Sequence, residues 1–390
     1  MSDTTFFEQK KARSILVDSE SKVISSICGS KAGHYWKPES VFYEYAGRGN
    51  NWAYGYYDLK GSKRHQKSIQ KTPSTAKSTR RSVTAPLITE LKPSILSTTM
   101  DAIRREAEAA DFFSGVVMTH SIAGGTGSGL GSHLVEDIKD QYPHHPLLSV
   151  SIAPFQGGGE TPLQSYNSLL TLTWLQQYTD GIILFQNGQL MKSLSSIFAK
   201  TNPSNVDAKG QYRLSLSEVN LYIANAMAGL FLPTAPADST KNGSFNLMDL
   251  ITCVCPVHNL KFMELNTFPF VTNVKKKPPK SLMTWRDVTN GLLSTTCRYT
   301  RESIARTVTA RVIVRGASDD FSPSSMMTQI QKGHSIVRWN DRPLQVQAKY
   351  EAGAYLHWYH QHGLEEDTLV SSFETMRRIM DDYETFTLET

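Results

Sequence analysis

The sequence predicts an α/β fold in which a Rossmann-like parallel sheet carries helices on both faces. Strand-like and helix-like segments alternate along residues 115–185, which is the pattern of parallel strands joined by crossover helices. A glycine-rich segment, residues 124–129, lies between a buried apolar strand and a helix. The 390 residues, 39% hydrophobic and 20% charged, can bury a core without disulfides or metals.

Each element is predicted from its local pattern, since short apolar runs favour strands and longer amphipathic runs favour helices. The expected strands cover residues 14–18, 115–122, 147–152 and 181–185, with two more near 261–265 and 307–315. The expected helices cover residues 99–110, 130–141, 162–177 and 365–386, and the Gly-, Asn- and aromatic-rich residues 46–57 are expected to form a loop. The last helix carries one apolar stripe, which must pack on another element: Leu369, Phe373, Met376, Met380 and Tyr383.

Changes in residue pattern along the sequence predict three parts. Residues 1–235 form the main domain, residues 236–350 a smaller intermediate α/β domain, and residues 351–390 a C-terminal helical segment. Residues 60–89 hold eight basic and no acidic side chains with many Ser and Thr, which predicts a basic surface insert. Because the whole chain has a formal charge of +5, the remainder sums to −3, and no nucleic-acid partner is expected.

Composition excludes several other classes of protein. The four cysteines, Cys28, Cys253, Cys255 and Cys297, are too few for a disulfide scaffold and lack the spacing of zinc knuckles. No apolar run reaches ~18 residues, and the first residues lack the apolar stretch of a secretory signal, so neither a membrane partner nor export is expected.

The glycine-rich segment carries the main chemical signal. It consists of Gly124, Gly125, Thr126, Gly127, Ser128 and Gly129. Glycines allow positive φ angles and close approach to a ligand, and N–H groups at the start of a helix form an anion site suited to phosphates. The segment lacks the lysine of a Walker A loop and the spacing of a dinucleotide fingerprint. The alternative interpretation is a tight strand-to-helix turn without a ligand.

At these residues the chain resembles the tubulin family, whose signature Ala-Gly-Gly-Thr-Gly-Ser-Gly binds the phosphates of GTP. The similarity continues in order along most of the chain. The residues of the matching segments are most similar to the delta branch of the family, with zeta and epsilon as alternatives. The other matching segments are residues 16–20, 49–55, 165–168, 186–187, Asn220, 355–359 and 363–366.

The resemblance implies a GTP or GDP site with Mg²⁺. Asn50 lies in the segment that resembles a further phosphate loop, while Asn187 and Asn220 match the asparagines that read guanine, using amide donors and acceptors. Asp18 and Glu20 match the carboxylates that approach the magnesium, here through water, although Asp18 could equally cap a helix.

The resemblance also implies that any GTP hydrolysis is completed by a longitudinal neighbour. Asp249 stands where one branch of the family carries a glutamate that completes the neighbour's site, so a catalytic role in trans is expected. The alternative is a carboxylate that simply favours the start of its helix.

Two departures leave the function open between three hypotheses. The family's first strand and its Gly-Gln-Cys-Gly-Asn-Gln loop have no counterpart, and Leu216 stands where the family stacks an aromatic side chain on the base. The first hypothesis is a GTP-binding cytoskeletal protein of centrioles, basal bodies and cilia, with tubulins or microtubules as partners. The second is a nucleotide-free interaction protein of the same fold, and the third, disfavoured by the glycine spacing, is a dinucleotide enzyme.

Overall fold

The structure, a computed structural model, describes the chain in stretches. It covers residues 6–8, 10–57, 94–155, 162–201, 212, 214–232, 246–269, 284–295, 309–314, 322, 324–326, 328–329 and 356–388. The predicted basic insert at 60–89 lies outside these ranges. None of the described helices is both long and apolar enough to cross a membrane.

The described strands form three sheets. The strands are β1 (Phe7–Glu8), β2 (Lys11–Ala12), β3 (Leu16–Asp18), β4 (Val41–Tyr43), β5 (Val116–Ser121), β6 (Leu147–Ala153), β7 (Gly181–Gln186) and β8 (Phe262–Met263). β1 and β2 pair antiparallel, β3 and β4 pair parallel, and the main sheet is parallel in the order β5-β6-β7-β8.

Helices precede and follow these strands. They are α1 (Ser21–Cys28), α2 (Trp52–Tyr57), α3 (Ile95–Glu108), α4 (Gly131–Gln141), α5 (Gln164–Tyr178), α6 (Asn187–Thr201), α7 (Leu216–Phe231), α8 (Leu247–Val254), α9 (Trp285–Thr295), α10 (Leu356–His360) and α11 (Glu366–Leu388). A π-helical turn, Thr126–Leu130, joins β5 to α4, and short 3-10 turns cover Gly33–Tyr35 and Pro38–Ser40.

The main sheet is buried on both faces, as the sequence predicts. Ile182 and Ile183 are neighbours on β7 and therefore point to opposite faces. Ile182 packs into a cluster with α3, α4, α5 and α11, whereas Ile183 packs into a second cluster with α6, α7 and α8. The predicted α/β architecture with helices on both faces is therefore confirmed.

β8 belongs to this same sheet, although it lies within the predicted range of the intermediate domain. Ile182 and Ile183 of β7 pair in parallel with Phe262 and Met263. The buried Lys261 precedes β8, and its Nζ donates to Gln176 O at 2.7 Å and Thr179 O at 2.6 Å. Burial lowers the pKa of Lys261, and the ammonium satisfies carbonyls at the C-terminal end of α5.

Two expected elements differ from the structure. Residues 46–57 do not form a continuous loop, because Trp52–Tyr57 forms α2, whose Trp52 and Ala53 are fully buried. Trp52 of this segment therefore serves core packing, whereas Tyr57 at the end of α2 is exposed. The strand expected near 307–315 is absent from the described residues 309–314, for which no backbone pairing with another strand is found in the described ranges.

The apolar stripe of α11 packs on the core as predicted, except that Ile379, rather than the expected Met380, is buried in the cluster under the main sheet. Leu369 is fully buried in a cluster with Trp52, Tyr166 and Tyr359. Further along the helix, Met376 and Ile379 join the cluster under the main sheet. α11 thereby covers α5 along much of its length, and the C-terminal helix is part of the core.

We predict that Leu369→Ala lowers the free energy of unfolding by about 2–5 kcal/mol, because it leaves a cavity beside Trp52. The matched control is Val370→Ala at the neighbouring position, which is 39% exposed and should change stability by no more than ~0.5 kcal/mol. Urea unfolding of both variants measures the difference. Equal effects at the two positions would contradict the packing described for α11.

Candidate functional site

The glycine-rich segment forms a compact turn directly after β5. The Ser128 hydroxyl donates to the Gly124 carbonyl, and Gly129 N donates to Gly125 O at 2.8 Å. The turn Thr126–Leu130 then runs into α4 without a break. None of the residues 124–129 has a positive φ, so these glycines are not required for left-handed backbone here.

Close backbone packing explains three of the glycines. A Cβ on Gly127 would overlap Ser121 O. A Cβ on Gly125 would lie 2.6 Å from Arg48 O, and one on Gly129 would overlap Trp52 O. From the other side, a Cβ on Gly55 of α2 would overlap Gly125 O. Gly125 and Gly129 are both buried, so residues 48–55 lie directly on this part of the turn. Any side chain at these positions would push α2 away from the turn.

The other face of the turn remains partly accessible. Gly124, Thr126 and Gly127 are each partly exposed. A Cβ on Gly124 would meet nothing closer than Asn50 Oδ1 at 3.8 Å, so there is open space at this point. Asn50 itself is exposed and adopts a left-handed φ of 50°. The structure therefore brings Asn50 to the open face of the turn, where a phosphate has room.

The loop that carries the carboxylates Asp18 and Glu20 is joined to the same turn by the residue between them. The buried Ser19 hydroxyl hydrogen-bonds the Thr126 hydroxyl at 2.5 Å. Asp18 is half-buried and its Oδ1 accepts from Glu20 N at 3.3 Å, so in this structure it caps the bend before α1. Within the described residues no group of three or more metal-ligating side chains is found, so a cation here would need oxygen ligands from water or phosphate.

The side-chain amide of Asn167 holds these segments together. Its Oδ1 accepts from Trp52 N at 2.9 Å and lies 2.8 Å from the Tyr359 hydroxyl, while its Nδ2 donates to Asn50 O and Ala123 O, both at 2.8 Å. The side chain is fully buried on α5 and uses its complete hydrogen-bonding capacity. One residue thus joins α2, the glycine turn, α5 and α10.

A second buried polar group lies beneath the turn. His120 on β5 has its Nδ1 2.6 Å from Gly127 O and its Nε2 3.0 Å from both the Ser149 and Ser151 hydroxyls of β6. Burial lowers the pKa of His120. The ring is therefore neutral at pH 7 and connects the turn to the central strand of the sheet.

Aromatic side chains fix α2 against α4 and α5. Trp52 stacks on Tyr56 with 4.6 Å between ring centroids, and its Nε1 donates to Ser132 Oγ at 2.9 Å. The carboxylate of Glu136 accepts from Tyr56, Trp174 and Tyr178. Burial and the Glu136 charge raise the pKa of Tyr178 to about 12, so these phenols remain hydrogen-bond donors at physiological pH.

The remaining predicted site residues lie on the second side of the main sheet. Asn187 is partly exposed at the start of α6, immediately after β7, so it shares the sheet edge at which the glycine turn follows β5. Two strand spacings separate those strands, which corresponds to about 10 Å. Asn220 and Leu216 are exposed one turn apart on α7 and share a face of that helix. Asp249 is exposed in the first turn of α8.

Comparison with known proteins agrees with this geometry. Residues 74–195 match the Tubulin/FtsZ family, GTPase domain, a range that contains the glycine turn, Asn167 and Asn187. The chain carries a Tubulin/FtsZ-family GTPase domain. The matched range begins inside the segment 60–89 that the sequence predicts to be an insert.

Curated relatives extend the similarity beyond this domain. The chain is 31% identical over 265 residues to the tubulin delta chain of Homo sapiens and to that of Macaca fascicularis, covering 67% of this chain and 49% of each relative. It is 30% identical over 262 residues to the tubulin delta chain of Canis lupus familiaris, covering 66% and 48%. The chain thus spans about half the length of the curated relatives that it matches, and the predicted resemblance to tubulin is confirmed.

Sequence reasoning did not identify Asn167 and His120 as residues that organise the site. Asn167 lies in a segment predicted only from its resemblance to the family, and His120 lies in a strand predicted to be buried. Both have polar neighbours in the sequence, Ser168 beside Asn167 and Thr119 and Ser121 beside His120, so no local signal distinguishes them. Their importance comes from burial, because a buried polar group must find partners.

We predict that Asn167→Asp destabilises the protein by roughly 3–5 kcal/mol at pH 7, because a carboxylate oxygen would replace Nδ2 against two carbonyl oxygens. Burial raises the pKa of such a carboxyl, so the folded protein takes up its proton first and the penalty shrinks as the pH falls towards ~4. Denaturant unfolding between pH 4 and 7 measures both effects.

The control for this experiment is Ser168→Ala at the next position, whose hydroxyl makes one 3.4 Å contact with Ile122 O. This change should cost less than ~1 kcal/mol at every pH. An Asn167→Asp variant as stable as the control would show that the amide is not the junction described.

Proposed function

We propose that the chain binds GTP or GDP with Mg²⁺ at the open face of the glycine turn. The observation that carries the proposal is the arrangement of that face: Gly124 lies beside Asn50, and Gly124, Thr126 and Gly127 are partly exposed, in a Tubulin/FtsZ-family GTPase domain. Backbone N–H groups of the turn would hold the phosphates. Asp18 and Glu20 would hold a hydrated Mg²⁺, whose charge offsets that of the phosphates.

The base would lie towards the other half of the sheet edge. Asn187 follows β7 at the same edge as the turn, and its amide offers both a donor and an acceptor to guanine. Asn220 would complete the recognition from α7. This assignment rests on the family resemblance together with the shared edge.

We further propose that the chain is a cytoskeletal protein that associates with tubulins or microtubules. Its similarity to tubulin delta chains supports a cytoskeletal role. On the family resemblance, we propose that this role lies in the cytoplasm at centrioles, basal bodies, cilia or flagella. In such an assembly Asp249 is exposed and accessible to a longitudinal neighbour, where its carboxylate would orient a water for GTP hydrolysis.

A second candidate function has an observation of its own. Leu216 is 54% exposed on the same face of α7 as Asn220, so the base would meet an aliphatic side chain where an aromatic ring would stack. The Thr126 and Ser128 hydroxyls also have partners within the protein. These features favour a nucleotide-free interaction protein on the same fold.

GTP-dependent stabilisation separates the two functions. A single-site ligand at 100 times its Kd adds ~2.7 kcal/mol to the free energy of unfolding. We expect GTP with Mg²⁺ to produce such a gain and ATP with Mg²⁺ to produce much less. Gly124→Ala fills the open space beside Asn50 and should weaken GTP binding about tenfold, equivalent to ~1.4 kcal/mol.

The matched control is Gly229→Ala on α7, where a Cβ would meet nothing within 4 Å. It makes the same chemical change away from the turn and should leave the GTP response intact. If well-folded wild-type protein shows no response to GTP, the nucleotide-free function is correct. If Gly124→Ala binds as well as the control, the phosphates lie elsewhere.

A further inference from the structure

In the hydrogen bond between His120 and the glycine turn, the donor and the acceptor can be assigned. The Gly127 carbonyl can only accept a hydrogen bond, so the Nδ1 at 2.6 Å must carry the proton. Because burial keeps the ring neutral, Nε2 has no proton and accepts from one of the hydroxyls of Ser149 and Ser151, while the other hydroxyl can donate across the 2.7 Å that separates the two serines. The surroundings therefore select a single tautomer.

The ring is also held rigidly. Ser149 and Ser151 are fully buried on the same face of β6, the strand that pairs with β5 on one side and β7 on the other. On the opposite side of the ring, a Cβ at Gly131 would lie 3.0 Å from Nδ1. His120 is therefore fixed between the sheet and the first residue of α4.

This fixed ring determines the orientation of one peptide plane in the turn. The Gly127 carbonyl points inward to His120, and in a planar trans peptide the following N–H points the opposite way. That N–H belongs to the buried Ser128, so it points away from His120 on the far side of the peptide. A reversed peptide would present a carbonyl oxygen to an anion and repel it.

We propose that His120 is a positioning residue of the nucleotide site, which holds the Gly127–Ser128 peptide with its N–H directed at the phosphates. The inference rests on the proposed GTP binding and adds the residue that orients the turn for it. His120 contacts no phosphate itself. It acts through the Gly127 carbonyl, and Ser149 and Ser151 act through His120.

Two substitutions test separately the two sets of contacts that the ring makes. In His120→Asn the amide nitrogen takes the place of Nδ1 and can still donate to Gly127 O, while the contact with the serines is lost. In His120→Gln the longer amide takes the place of Nε2 and keeps the serines, while the Gly127 contact is lost. Each variant loses one side of the network, so urea unfolding should show similar losses of stability.

GTP affinity should differ between the two variants. Calorimetric titration with GTP and Mg²⁺ should give a Kd for His120→Asn within about threefold of wild type and a Kd for His120→Gln weakened about tenfold, the effect of one lost hydrogen bond. This rescue by the asparagine is not expected for a residue that only packs. Equal weakening in both variants, or none in His120→Gln, overturns the proposal.

A second measurement needs no nucleotide. The backbone ¹³C′ shift of Gly127 and the amide signal of Ser128 report the peptide orientation, and both should move in His120→Gln and stay near wild type in His120→Asn. Wild-type protein could bind no GTP while these signals still differ between the two variants as stated. The proposal of GTP binding would then be wrong, and the role of His120 in orienting the peptide would be retained. If the signals do not divide the variants, the role of His120 fails.

Discussion

The site depends on the hydrogen bonds made by the side-chain amide of Asn167. The amide is fully buried and makes four hydrogen bonds, to Trp52 N, Asn50 O, Ala123 O and the Tyr359 hydroxyl. An apolar side chain of the same size would leave buried backbone groups without partners, at a cost of about 1–3 kcal/mol for each. The amide therefore determines where α2, the glycine turn and the C-terminal helices meet.

The glycines of the turn have different structural roles. Gly125 and Gly129 allow the backbone of residues 48–55 to lie directly on the turn, and Gly127 packs against the backbone of Ser121, whereas Gly124 lies on the open face. Ser19 and Thr126 join the acidic loop after β3 to the same turn. A sequence motif that is usually interpreted through its ligand is here also a packing motif, and the packing keeps the open face in one shape.

Local patterns in the sequence predicted much of this fold and only part of the site. The strands β5, β6 and β7 are short, largely apolar runs, and α11 carries an apolar stripe at helical spacing, so the existence of these elements could be predicted. The six-residue helix α2 is too short to show a period, and its stability comes from Trp52 in the core. The pairing of β8 with β7 joins residues some 80 apart, and the contacts of Asn167 and His120 are also long-range, so no local pattern encodes them.

A structure of the protein with GTP and Mg²⁺ bound would show whether packing holds the glycine turn ready for phosphates. We expect phosphate oxygens within hydrogen-bond distance of backbone N–H groups between Gly124 and Ser128, with Trp52–Tyr57 still on Gly125 and Gly129 and the Asn167 contacts unchanged. A triphosphate bound elsewhere, or a turn that has separated from Trp52–Tyr57 to admit it, would show that the packing does not prepare the turn for phosphates.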